Sequence, residues 1–222
     1  MSSPWVGANH LSLSKVLRER TSALHTEAER SGVINDILRQ KADRRSYALL
    51  LRNLLPAYEK MEQALERQHG SATLRVFAQP ALRRAERIAA DLEALSGADW
   101  ICSLPLLTAG ERYAARVQAA GEGDGSRLLA HAYVRYFGDL SGGQVLKRLL
   151  GKSLKLGPQS LSFYDFPGIS DLKAVKDDMR DAIDQSGAGS VDVEPIILEG
   201  IRAFEHNIEV SHAVQAFANT PA

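Results

Sequence analysis

Apolar residues recur every three or four positions along almost the whole chain, and no stretch alternates polar with apolar as a strand would. That pattern calls for amphipathic helices packed around a common core. Leu13, Val16, Leu17, Leu24 and Ala28 form one stripe, with Ser12 or Ser14 available as N-cap and Gly32 just past the expected end. A second helix is expected over residues 44–68, with Pro56 inside it as a kink and Gly70 beyond it. Pro80 and Pro105 suit the first turns of helices running to about 95 and 119. Residues 121–125, Gly-Glu-Gly-Asp-Gly, are the clearest loop. Then come a helix over about 126–150, an irregular stretch over 151–168, a charged helix over 170–185 and a flexible segment over 186–190. A last helix carries Ile197, Ile201, Phe204 and Ile208 on one face. The reading is a single all-α domain over residues 1–222, its ordered core about 11–214, with short flexible tails.

Charge and cysteine usage narrow the function classes. Twenty-seven Lys and Arg balance 27 Asp and Glu among 222 residues, so no global field favours nucleic acid or an anionic membrane. Cys102 is the only cysteine, which excludes an intrachain disulfide and a Cys-rich zinc site; it is expected to be a buried small hydrophobe. No run of about 18 apolar residues occurs, and the first 14 residues lack a signal-peptide pattern. A soluble, cytoplasmic protein without a membrane anchor is the expectation. Gly151-Lys152-Ser153 resembles the end of a phosphate loop, but Leu146 stands where that loop needs glycine and a helix, not a strand, precedes it.

Residues 133–146 depart from an ordinary helix. Gly138, Gly142 and Gly143 each cost about 1 kcal/mol relative to alanine, yet helical periodicity resumes with Val145, Leu146, Leu149 and Leu150. A loop between two helices, close helix–helix packing through Gly138 and Gly142, and a bare helix face against a flat ligand all remain open. Asp139 reads as a solvated charge on spacing alone, and Lys176 and Arg180 as a solvated i, i+4 pair. Among the six histidines, His25 and His212 lie near apolar stripes, and His25 has Glu29 one turn on; periodicity does not choose between them.

The segment Ala130-His131-Ala132-Tyr133-Val134-Arg135-Tyr136-Phe137-Gly138-Asp139-Leu140-Ser141-Gly142-Gly143-Gln144 closely resembles the signature of the heme oxygenases. Leu24-His25-Thr26-Glu27-Ala28-Glu29 is similar to the family's proximal-ligand segment. Phe163-Tyr164-Asp165-Phe166-Pro167 resembles its aromatic turn, and Phe204 with Asn207 an aromatic–asparagine pair. The matches are collinear from about residue 11 to 214.

The resemblance implies heme b held between a proximal N-terminal helix and a kinked glycine-rich distal helix. His25 would ligate the iron with Glu29 holding the outer edge of its ring, and Gly138 and Gly142 would admit the dioxygen, with Gly143 giving flexibility. Asp139 would hold ordered water that delivers protons. Arg18, Lys176 and Arg180, with the Tyr133 hydroxyl, would clamp the propionates, and Phe204 would line the pocket. Ser22 stands where many animal relatives carry a second lysine, so this rim is one charge lighter on that side. The implied reaction is oxidative opening of heme to biliverdin, as the α isomer, with carbon monoxide and ferrous iron. It uses O2 and electrons from a separate ferredoxin or NAD(P)H-dependent flavin reductase, since no nucleotide fingerprint occurs. The alternative reading is a heme-binding or heme-transfer protein of the same fold without the chemistry.

Overall fold

The computed structural model describes residues 12–68, 70–189 and 192–220; Leu11 and Ser190, which the sequence places at a core boundary and in a linker, lie outside them. All regular structure among the described residues is helical. α1 (Leu13–Glu29) is capped by Ser12, whose Oγ accepts from the Lys15 amide at 3.4 Å. Ser14, the other candidate cap, instead donates its amide to Asp184 Oδ1 at 2.8 Å and its hydroxyl to Oδ2 at 3.2 Å.

Three short helices are not legible from periodicity. α2 (Gly32–Leu38) begins at the glycine expected merely to end α1. Gly32 has φ +53°, and a Cβ there would lie 2.3 Å from the backbone carbonyl carbon of Ser211, so only glycine admits this crossing. α3 (Arg44–Arg67) follows, with Asp43 as its side-chain cap; Pro56 lies inside it without ending it. α4 (Ala72–Arg75) is a single turn. Pro80 opens only a 3₁₀ turn, Pro80–Leu82, and the longer helix, α5 (Ala85–Ser96), starts later.

Cys102 corrects the expectation of burial. It is exposed on α6 (Trp100–Ser103), a surface turn in which Trp100 packs under the Arg52 guanidinium at 5.4 Å and Ile101 is left 62% exposed. A four-residue turn has one inward position, and Trp100 takes it. α7 (Thr108–Ala120) begins three residues after Pro105.

α8 (Leu128–Ser153) is one uninterrupted helix across all three glycines, which excludes the loop reading of that segment. Two 3₁₀ turns, Pro158–Ser160 and Ser162–Tyr164, make up the irregular stretch. α9 (Leu172–Gly189) extends through residues 186–189, expected to be flexible. Its last turns are pinned by α1: Asp184 holds Ser14, and a Cβ at Gly187 would sit 2.7 Å from that of Leu13. α10 (Glu194–Ala218) closes the fold with Pro195 in its first turn.

The largest core is built by α3, α5, α7 and the inner faces of α8 and α10, around Tyr47, Leu51, Tyr58, Met61, Leu129 and Tyr136. A second, small cluster stands apart, made of Val134, Ala203 and Phe204 with Leu24, Ala28 and Tyr133 against them. α7, α8 and α10 are tied by a buried ionic triad. Arg116 Nε donates to Glu199 Oε1 at 2.6 Å, and His131 Nε2 lies 2.8 Å from the same oxygen. Burial alone would raise the Glu199 carboxyl, but the hydrogen bonds and charges of His131 and Arg116 hold it down at about 2.

Gly32→Ala should therefore destabilise the fold by about 3 kcal/mol, seen as a melting point lower by about 10 °C. Glu199, depressed from 4.5 to about 2, contributes stability that is complete above pH 4.5 and lost as the pH falls through 2. The stability gap between the parent protein and Glu199→Gln, on the order of 3 kcal/mol in urea unfolding at pH 7, should shrink between pH 4.5 and 2.

Candidate functional site

The site begins at the small cluster between α1, α8 and α10. On α8, Val134, Gly138 and Gly142 follow at i, i+4 and i+8 and so share one face. Val134 is buried against Leu24, Ala28 and Phe204. One and two turns on, a Cβ added at Gly138 or at Gly142 would meet no atom within 4 Å. The apolar face that α1 and α10 cover at Val134 thus continues as bare backbone beside open space. Helix packing through these two glycines is thereby excluded. Gly143 differs: its Cβ would lie 3.0 Å from Tyr164 Cδ1, so it serves a close approach to the protein's own turn.

α1 supplies the facing side. It packs on α10, α9 and α2, and it presents Leu24, His25 and Ala28 beside the small cluster. The His25 ring meets Phe204 edge-on, with centroids 5.9 Å apart. His25 Nδ1 is 3.9 Å from Glu29 Oε1, beyond hydrogen-bond length, and both side chains are about 60% exposed. Glu29 therefore lies beside the ring without a hydrogen bond to it. His212 is exposed at the crossing of α10 with α2, next to Gly32, so the structure separates the two histidines that periodicity left equal.

Cations gather along the rim. The Tyr133 hydroxyl is pushed above its ordinary range by burial, with the charges of Arg18 on α1 and Arg180 on α9 acting to lower it. Arg180 lies over the Phe137 ring at 5.3 Å and pairs with Asp177, while Lys176 Nζ donates to Ser141 Oγ at 3.2 Å. Phe137 and Ser141 form the ridge next to the bare glycine face, and exposed Val145 continues it. These partners are weak, exposed and exchangeable for a ligand's carboxylates.

Asp139 is 4% exposed, against the solvated charge that its spacing suggested. The Tyr58 hydroxyl donates to Oδ2 at 2.5 Å, and Arg135 Nη2 lies 3.4 Å from Oδ1. Arg135 Nε also donates to the Tyr58 oxygen at 2.8 Å, and its Nη1 to Asn207 Oδ1. Asn207 in turn donates to Tyr113 Oη at 3.2 Å. Burial lifts the Asp139 carboxyl above its usual range, while the Arg135 charge and the Tyr58 hydrogen bond pull it back. Burial would lower Arg135, but the oxygens of Tyr58, Asp139 and Tyr113 raise it further, so it stays charged. This group fixes the Asp139 carboxyl in place, with its affinity for a proton raised by burial.

Sequence reading missed Tyr58, which lay on the apolar side of α3, and Arg135, whose i−4 spacing from Asp139 was the available signal. Among the described residues no three His, Cys, Asp or Glu side chains converge to hold a bare metal ion, so His25 has no protein co-ligand. Likewise, no helix among them is long and apolar enough to cross a membrane.

A histidine helix facing a bare helix backbone, with a cationic rim and a buried carboxylate behind, defines a helical protein built around a flat, anionic, metal-bearing ligand. The heme oxygenase family profile matches residues 11–213. The chain is 34% identical to the heme oxygenase of Takifugu rubripes over 93% of its length and 76% of the relative's. It is 31% identical to heme oxygenase 1 of Synechocystis, covering 92% and 85%. The solved heme oxygenase from Leptospira interrogans superposes with a TM-score of 0.83 at 33% identity, over 91% of this chain and all of that one. Heme oxygenase-1 from Synechocystis, solved in complex with heme, gives 0.84 at 31%, over 93% and 94%. The chain belongs to the heme oxygenase family and is a heme-degrading oxidoreductase.

The open glycine face gives a test that needs no turnover. Gly138→Ala and Gly142→Ala should each stabilise the ligand-free protein by up to about 1 kcal/mol, because alanine favours helix and meets no atom. The same variants should bind hemin more weakly in optical titration. Gly143→Ala, pressing on Tyr164, should not stabilise.

Proposed function

We propose that this chain opens the heme macrocycle to biliverdin, releasing carbon monoxide and ferrous iron. It would use O2 and electrons from a separate ferredoxin or NAD(P)H-dependent flavin reductase. The observation that carries the reading is the bare Gly138 and Gly142 face continuing from the Val134 cluster beside His25, with buried Asp139 on the same helix. Heme is the substrate, and its iron would supply the redox chemistry while bound. His25 would ligate that iron, and Phe204 sets the ring's plane by edge contact. Arg18, Lys176, Arg180 and the Tyr133 hydroxyl would receive the propionates, in place of Ser141 and Asp177.

The rim also bears on which meso carbon is cut. Clamping both propionates fixes the macrocycle's rotation, so one edge faces the open side of α8. Cleavage at the α-meso position follows from the clamp residues that match the family; Ser22 makes the α1 side of the rim lighter by one cation.

Burial raises the Asp139 carboxyl above its usual range while it accepts the Tyr58 hydrogen bond, and Arg135 keeps both oriented. Protons would reach the substrate side through water ordered by this carboxylate. The non-catalytic carrier reading leaves that arrangement without use, since heme storage needs no buried carboxyl beside the open face.

The experiment is a single turnover of one equivalent of hemin with reductant in air, followed optically. Loss of the Soret band with growth of biliverdin absorbance is expected. A Soret band that persists would leave a heme carrier. Asp139→Ala should cut biliverdin yield by about 10-fold or more while hemin still binds; unchanged yield would remove the role assigned to Asp139.

A further inference from the structure

We infer that the turn over residues 162–166 is the stop that sets α8 at its height above the open face and holds Tyr58 against Asp139. Phe163 and Tyr164 are then positioning residues for the Tyr58–Asp139 pair. The inference rests on the reading that Asp139 serves the reaction.

The turn touches Tyr58 directly and reaches Asp139 through the next turn of α8. Phe163 packs edge-on against the Tyr58 ring, with centroids 5.6 Å apart. Its neighbour Tyr164 lies under α8, where a Cβ at Gly143 would come within 3.0 Å of the ring. Gly143, one turn beyond Asp139, therefore rests directly on Tyr164. Two further contacts clip α8 to the same turn: Gln144 Nε2 donates to the Tyr164 carbonyl at 2.8 Å, and Lys147 pairs with Asp165. The glycine face is open on its ligand side at Gly138 and Gly142 and is closed on the turn side at Gly143.

A stop must itself be rigid, and two buried charged residues make it so. Asp91 accepts the Ser162 amide at 2.8 Å, the Ser162 hydroxyl at 2.6 Å and the Phe163 amide at 2.9 Å. Arg84, fully buried, donates to the Phe163 carbonyl at 3.0 Å and to the Asp165 carbonyl, and its guanidinium covers the Phe166 ring at 4.1 Å. Each end of the turn is thus held by charge-assisted hydrogen bonds within the core. α5 and the strand-free segment before it consequently bear on Asp139 without touching it.

The test uses variants that release the clip and leave the core intact. Hydrogen exchange of the ligand-free protein is followed by mass spectrometry, alongside hemin titration and single-turnover yield. Gln144→Leu combined with Asp165→Asn should speed exchange in residues 138–143 about tenfold, with α3 and α10 unchanged. Hemin affinity should stay near that of the parent while biliverdin yield drops several-fold. Lys147→Asp alone should act in the same direction, and adding Asp165→Lys should restore both readouts. Unchanged exchange and yield in the folded double variant would overturn the inference, as would a uniform rise in exchange across all helices. If local exchange rises but the parent itself opens no heme, the turn is the stop and the enzyme reading fails separately.

Discussion

The structure turns on a carboxylate kept out of water. Asp139 is buried on the flank of α8 that adjoins the open glycine face, and it is tolerated there because the Tyr58 hydroxyl and the Arg135 guanidinium meet its oxygens. Removing Tyr58 would leave Asp139 only the longer Arg135 contact, and removing Arg135 would leave it only the Tyr58 hydroxyl. The elements therefore have to agree on their positions: α3 brings Tyr58, α8 brings both Arg135 and Asp139, and α10 brings Asn207 to the far side of Arg135. The apolar core around Tyr47, Met61 and Tyr136 fixes these helices, and the polar junction fixes their register.

The open space arises from how α1 is held. α1 is docked at its start by α9, through Ser14 and Asp184, and along its length by α10. α1 meets α8 at the small cluster around Val134, and beyond it α8 presents no side chains at Gly138 and Gly142. The α8 face stays open because it carries no Cβ at Gly138 and Gly142, while α1 is supported by α9 and α10. This accounts for the helix-unfavourable glycines in an element that nevertheless stays helical to Ser153.

Much of this was legible in the sequence. The long helices followed from 3.6-residue periodicity, because each buries one broad apolar face. His25, Asp139 and the glycines came from a resemblance, with periodicity silent or pointing the other way. What escaped reading was set by tertiary contact. Gly32 begins α2 because the α10 backbone at Ser211 lies too close for any side chain. Residues 186–189 stay helical because Leu13 and Ser14 pack on that end of α9. Tyr58 was counted as apolar, since a spacing pattern does not say where a phenol's hydroxyl points. Cys102 was expected inside because cysteine usually is, but Trp100 claims the only inward position of its turn.

The measurement that bears most directly on the site between α1 and α8 is the optical and resonance Raman spectrum of the hemin complex of His25→Ala, with and without added imidazole. The account predicts loss of the histidine-ligated iron signature, its recovery when imidazole enters the vacated position, and an unaltered melting point, because the His25 side chain is exposed and not part of the core. A histidine-ligated spectrum that survives in His25→Ala without imidazole would place the iron elsewhere and contradict the assignment of the α1–α8 slot.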